Sequence, residues 1–582
     1  MSINEKGRVD IPFMATLLKE NDYKELTSQL FNQKLIYRDP SQIDFDENGK
    51  VVPFSGYVTA DEYLSGNIYQ KIDDARKANE KFNTELFNSQ IADLEKVIPP
   101  KLTSSDISIE IGARFVDPEI YLQFFNDLIK AEINHKLVYN KHLHQFAFDG
   151  DSKYPGVYNS EISSVYGTKT LNALQIFEKM LNFESVEVKK SIDSVDKNGN
   201  LTTISVIDPE QTQANQAKVK LIQSKFKEWV FNNDERREYL VNKYNRLYNA
   251  IKPREYNGDL FSFDGINPNI HLRPHQKNAI ARTLLGGNTL LAHEVGAGKT
   301  FEMCASAMEK IRLGLAHKCV IVTPNPVLTQ FSKEFYTLYP NANILTATKN
   351  DFKKENRAKF LARAAYGDAN IILMSKEQFE KIPMSFEYQE AFINHLIEEN
   401  DEAFRTAKSI GLNVISKKCE QRKTNLLNKL QKLNESNNSK DYSLTFEELG
   451  CDALYVDEAH NYKNAEVFTL IKNVPLASPS NRARDMQMKC QYLNDKFDNK
   501  AVVFATGTAI SNSVVDLYTM QTYINKHNLE AADVDSLDSF IAQFGTIESK
   551  AELDATGQNF VMKKRLRSFR NIPDVMKIFG EC

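Results

Sequence analysis

Lys299 and Thr300 directly follow Gly296, Ala297 and Gly298. A lysine and a hydroxyl behind closely spaced glycines are the residue types that cradle the phosphates of a nucleoside triphosphate. Backbone N–H groups from Gly296 to Lys299 would point at a β-phosphate from the start of a helix, where the helix dipole also favours an anion. Lys299 would neutralise the β- and γ-phosphates, and Thr300 would offer its hydroxyl to Mg²⁺. The pattern departs from its usual form at one place: His293 stands where the first glycine belongs, with Glu294 and Val295 between it and Gly296.

Such a site also needs a carboxylate for the metal and a base for the attacking water. Asp457, Glu458 and His460, at the end of the apolar run Leu454, Tyr455 and Val456, supply these types. Asp457 is placed to hold Mg²⁺, and Glu458 to orient or deprotonate the water. An Asp-Glu pair after a strand carries little weight alone; behind a phosphate loop it carries much more.

The elements that must position these residues are short apolar runs at 289–292, 319–322, 371–374, 454–456 and 501–504, separated by helical patterns. Strands apolar on both faces and alternating with helices predict an α/β fold, a parallel sheet covered on each side. We expect this lobe over 260–582. A charged, Asn- and Lys-rich helical insertion at about 384–441 projects from it, and a solvated hairpin without a partner is the plain reading of that segment. Residues 1–100 read as helical, with Thr59 and Glu62 spaced as a capping box that opens a helix through Asn79. Residues 101–210 read as a mixed α/β unit with a hairpin turn at 196–200. A helical connector at 211–259 carries the stripes Val219, Ile222, Phe226, Trp229 and Leu240, Tyr244, Leu247.

At 582 residues with 42% hydrophobic content the chain is long enough for several domains. Its net charge of -4 neither favours nor excludes nucleic acid, so any basic surface must be local; Lys563, Lys564, Arg565, Arg567 and Arg570 form the densest cluster, with DNA contact and a solvated helix face as equal readings. The 6 cysteines form no Cys-x-x-Cys pair, which argues against a zinc ribbon or a disulfide framework and for a reducing, cytoplasmic setting. No apolar run is long enough to span a membrane. His142 and His144 could share one face of a strand as metal ligands, but no acid accompanies them and surface placement is the better expectation.

Asp457, Glu458, Ala459 and His460 resemble the DEAH box of superfamily-two helicases, and further segments follow that superfamily's order. Leu272, Arg273, Pro274, His275 and Gln276 resemble the adenine-reading motif of the Swi/Snf-type branch, and the Gln276 amide has the donor and acceptor that an adenine edge needs. The alternative is a helix start with Pro274 in its first turn. Thr323 and Pro324, Ser375 and Lys376, and Thr506, Gly507 and Thr508 resemble motifs Ia, Ib and III. The resemblance implies backbone contacts to nucleic acid for the first two, and coupling of hydrolysis to movement, with His460, for the third. Over nearly the whole chain, segments such as residues 7–10, 59–67 and 569–576 are similar to large helicase and methylase proteins of phages and conjugative elements.

The resemblance implies a RecA-like lobe that binds ATP and Mg²⁺ through Arg273, Gln276, Glu294, Gly296, Ala297, Gly298, Lys299 and Thr300. It implies an ATP hydrolase that moves on DNA, expected to be double-stranded. Residues 509–582 are too few for the second lobe, of about 150 residues, that would bring an arginine finger. We therefore expect the N-terminal part of a longer machine, with a second lobe or a methylase encoded downstream or acting in trans. The only Pro-Pro, Pro99 and Pro100, lacks the context of an adenine-methylase site. Two alternatives stand: a nucleotide- and DNA-binding module with little turnover by itself, and a structural mobile-element protein with a relic loop.

Overall fold

The computed structural model describes the chain except residues 21, 48–49, 142, 196–200, 410–412, 438–443, 472–473, 475–477, 509–513 and 554–559. Six strands form one parallel sheet: β1 (Thr289–Leu291), β2 (Cys319–Thr323), β3 (Ile344–Thr346), β4 (Ile371–Ser375), β5 (Ala453–Asp457) and β6 (Val502–Ala505). Their spatial order is β3-β4-β2-β5-β6-β1. Five of the six coincide with the predicted apolar runs. The sixth, β3, is an edge strand of which only the central residue is buried, so it leaves no continuous apolar run, whereas the equally short β1 is buried throughout.

Alternation along the strands divides the lobe into two cores, since successive side chains point to opposite faces. Ile321, Leu373, Tyr455 and Val503 face one layer, with Phe331 and Phe335 of helix Leu328–Leu338 and Met303 of helix Lys299–Arg312. Val322, Met374, Val456 and Phe504 face the other, with Phe360 of helix Lys354–Tyr366 and Met486 of helix Asn481–Lys496. Every β2 and β4 residue is buried, as a sheet covered on both faces requires.

Between β4 and β5 the expected insertion is a pair of long helices, Phe386–Ser409 and Asn413–Asn437. Lys423 Nζ pairs with Asp401 across it at 2.6 Å, and Asn400 Nδ2 donates to the Cys419 carbonyl at 2.9 Å.

Outside the lobe, the predicted helix from Thr59 through Asn79 is interrupted. Thr59 caps only Ala60–Tyr63 and makes no side-chain cap bond. Gly66 then turns into the left-handed region at φ +74, and residues 66–67 pair with Ile251–Lys252. The helix restarts at Ile68, where the Asn67 side chain accepts from Gln70 N. The strand pairing with Ile251, distant in sequence, overrides the local helical pattern here.

Strands Lys189–Val195 and Leu201–Ile207 pair antiparallel, as the hairpin reading predicts, with the turn itself outside the described residues. Phe226 and Tyr244 of the connector pack into one core with Tyr121, Phe125 and Phe177, and that core continues into Phe540, Phe544, Val575 and Ile578. Tyr244 Oη donates to Asp574 at 2.6 Å. Arg570, counted in the basic cluster, is buried and structural: its guanidinium pairs with Glu110 at 2.8 Å and donates to the Gln543 carbonyl. The remaining basic residues of the cluster lie on strand Phe560–Phe569, so of the two equal readings the helix face is replaced by a strand. His142 lies outside the described residues; His144 sits at φ 49 in a turn beside Tyr139 Oη. All six cysteines are free and buried.

Candidate nucleotide site

The sheet brings the C-terminal ends of β1, β5 and β6 side by side, because β6 lies between the other two. From β1 the chain enters the loop 292–298, and helix Lys299–Arg312 starts immediately after it. Gly296 and Gly298 take φ +90 and +95, a region that side chains with a Cβ avoid. At Gly298 space is lacking too, since a Cβ there would come within 2.2 Å of Gln276 Nε2. The first-turn N–H groups of a 14-residue helix thus open onto the loop, an arrangement suited to an anion.

Lys299 Nζ donates to the carbonyls of His293 at 2.8 Å and Glu294 at 3.0 Å, so the ammonium lies across the loop. His293 Nδ1 is 3.0 Å from both carboxylate oxygens of Glu302, which is almost wholly buried. Burial pushes the Glu302 carboxyl up to about 7, with the charges of His275 and Lys299 acting in the opposite direction. Burial, then His275 and Lys299, lowers the His293 pKa.

Gln276 is buried against this loop. Its Oε1 accepts from Arg273 N at 2.9 Å, and its Nε2 faces the Ala297 and Gly298 carbonyls at 3.4 Å. His275 Nε2 lies 3.0 Å from the Ala297 oxygen. The helix start with Pro274 in its first turn and the loop contact therefore coexist.

Asp457 ends β5, and burial, reinforced by the neighbouring Glu458 charge, raises its carboxyl to about 6. Glu458 adopts φ 52, ψ 49, a conformation uncommon outside glycine and asparagine that accompanies functional turns. His460 Nδ1 lies 3.1 Å from Glu458 Oε2 and 3.1 Å from Thr506 Oγ1. Thr506 in turn accepts from Thr508 N through that oxygen and donates its backbone N–H to Leu291 O, both at 3.1 Å. A Cβ at Gly507 would sit 3.1 Å from Val295, which sets this segment against the loop after β1.

Thr323 and Ser375 do not present their hydroxyls outward. Both are buried; Thr323 Oγ1 has no hydrogen-bond partner, and Ser375 caps the short helix Lys376–Phe379. Pro324 and Lys376 are half-buried, and Lys376 Nζ reaches Asn461 Oδ1 at 3.5 Å. Glu302 and Asn461 escape sequence reasoning: nothing in their local pattern separates them from ordinary helix and turn residues.

The donors that could hold Mg²⁺ are the Thr300 hydroxyl and the Asp457 carboxylate. Among the described residues no three or more His, Cys, Asp or Glu gather to hold a metal ion. Two hard oxygen donors fit a cation that completes its shell with phosphates and water.

Residues 283–582 match the family described as a probable helicase domain. The chain belongs to this helicase-domain family. Residues 110–250 of the helicase-domain protein match a domain family of unknown function, and residues 1–45 a probable helicase winged helix domain. The chain is 20% identical over 585 aligned positions to the defense against restriction protein B of Escherichia phage P1, covering 91% of the chain and 25% of that relative. It therefore spans about a quarter of the length of this curated relative. A Sulfolobus solfataricus SWI2/SNF2 ATPase core in complex with dsDNA aligns at 15% identity and a TM-score of 0.26, over 47% of this chain and 39% of that one. No described helix of the helicase-domain protein is long and apolar enough to cross a membrane.

Proposed function

We propose that the chain is the first RecA-like motor lobe, with accessory domains, of an ATP-dependent DNA translocase or helicase of the Swi/Snf-like DEAH-box type. The observation that carries this reading is the bridge made by His460, whose Nδ1 touches both Glu458 and Thr506. It connects the residue suited to activating water with the segment after β6, which abuts the loop after β1. A change at the γ-phosphate would thus reach the sheet edge through a few hydrogen bonds.

In this reading the N–H groups around Gly298 and the Lys299 ammonium bind the β- and γ-phosphates, and Gln276 and Arg273 border the base. Thr300 and Asp457 hold Mg²⁺, which when bound neutralises phosphate charge. Glu458 orients the attacking water and takes its proton. Lys376 and the exposed backbone beyond Pro324 contact duplex phosphates, while Thr323 and Ser375 shape those loops from beneath. A second lobe, from further chain or in trans, supplies an arginine to the γ-phosphate. The setting is cytoplasmic, and an action on DNA is in keeping with the phage relative's role in defence against restriction.

Duplex-stimulated ATP hydrolysis, measured with the second lobe supplied, tests this. Glu458→Gln should lower turnover by roughly 10²-fold or more, and Lys299→Ala should weaken nucleotide binding. Wild-type turnover in both variants would refute the assignment. Hydrolysis by the chain alone that equals the reconstituted pair would refute the need for a second lobe.

A further inference from the structure

The helical insertion carries a chemical asymmetry along its length. Helix Phe386–Ser409 bears six carboxylates against two cations, Arg405 and Lys408. Its partner Asn413–Asn437 reverses this, and its basic residues sort by face. Lys423 turns inward to Asp401. Lys418, Arg422, Lys429 and Lys432 share another face, three, four and seven residues apart. The positions between them on that face are Gln421, Asn425 and Asn428. The stripe therefore holds only cations and amides over about 21 Å of helix.

This stripe is one wall of a groove of about 550 Å³. The other wall is the segment around Glu466, Phe468 and Thr469, which follows β5 and the turn bearing His460. Three contacts fix the walls: Arg422 stacks over Phe468 with 4.4 Å to the ring centroid, Lys429 pairs with Glu466 at 2.7 Å, and Lys418 Nζ donates to the Leu470 carbonyl at 3.3 Å. Glu466 is the one carboxylate among the described lining residues, and Glu399 of the facing helix also acts on Arg422, so four cations face two negative charges.

We propose that this groove holds a phosphodiester backbone of duplex DNA, a second contact track beyond the C-terminal edge of the sheet. The proposal rests on the reading of the chain as a DNA-acting protein. A length of about 21 Å accommodates about six phosphates of one strand at ~3.4 Å per base step along the axis. Amides interleaved with cations suit phosphate oxygens, which position a duplex without reading its sequence. An acidic protein partner would call for an apolar anchor at the groove centre, but the one aromatic there, Phe468, is covered by Arg422.

Asn425, Asn428 and Lys432 are exposed, so their variants should keep the fold. The experiment measures binding of the full chain to a fluorescent duplex between about 50 and 200 mM salt. The variant Asn425→Asp/Asn428→Asp adds two charges without changing shape and should weaken binding by roughly fivefold or more, about 1 kcal/mol. Lys432→Gln should flatten the slope of log affinity against log salt by about 0.9. Melting temperatures should not change. If both variants bind like wild type with an unaltered slope while Lys376→Ala loses affinity, the groove is not a DNA track and the DNA reading stands. If wild type binds no duplex, that reading falls, and the groove with it.

Discussion

His293, in the position where a phosphate loop ordinarily has its first glycine, is hydrogen bonded through Nδ1 to both carboxylate oxygens of Glu302, at 3.0 Å each. The pair ties the loop to the helix that follows it and holds in place the His293 carbonyl on which the Lys299 ammonium rests. Restoring glycine would strand a buried carboxyl. His293→Gly should therefore destabilise the fold by roughly 1–3 kcal/mol, and His293→Gly/Glu302→Leu should recover part of the loss. Thermal unfolding of the two single variants and the double variant decides it: strictly additive effects would mean that the two side chains are not coupled.

The two loop glycines should differ in their tolerance of alanine. Both have positive φ, but a Cβ at Gly296 meets open space, whereas one at Gly298 runs into the Gln276 amide. Gly296→Ala should carry only the backbone penalty, about 1–2 kcal/mol. Gly298→Ala should cost more and also weaken nucleotide binding. Removing the clash with Gln276→Ala should return part of the Gly298→Ala loss; equal melting points for the two glycine variants would contradict this account.

Thr506 is fully buried and receives His460 from one side and Thr508 from the other. Thr506→Val removes the hydroxyl with little change of shape. We expect nucleotide affinity to hold while stimulation of hydrolysis by duplex DNA falls roughly tenfold, equivalent to about 1.4 kcal/mol of coupling. The check is the ratio of ATPase rates with and without duplex, and an undiminished ratio would remove Thr506 from the coupling route.

Lys310 lies on the same helix as Lys299, buried, with Nζ donating to the Lys500 carbonyl at 2.8 Å. Burial lowers its pKa from 10.5 to about 8. Between these values the unfolded chain holds the proton that the folded chain has released, so this residue's contribution to stability rises with pH across that window. Lys310→Met removes the titration. The stability of the variant relative to wild type should accordingly decline by on the order of 3 kcal/mol from pH 8 to pH 10.5. Urea unfolding at the two pH values measures it; a constant difference would show that Lys310 keeps its charge in the fold.

The sequence alone determined the parts whose physics is local. β2, β4 and β5 were legible because a strand buried on both faces is apolar at nearly every position, and the loop at 292–300 because glycines, lysine and threonine must stand close together along the chain to act together. The start of a helix at Pro274 was legible for the same reason. Only the tertiary structure decided what depends on elements far apart in sequence. Pairing of residues 66–67 with Ile251–Lys252 broke a helix that local pattern extended to Asn79. Packing against Glu110 and the Gln543 carbonyl turned Arg570 from a surface cation into a buried brace. The strand order set β6 between β5 and β1 and so delivered Thr506 to His460, 46 residues away. The burial that sends Thr323 inward, the partner that fixes His293, and the face on which the insertion gathers its cations arise likewise from packing. A side chain's type is written in the chain, but its surroundings form only when distant segments close around it.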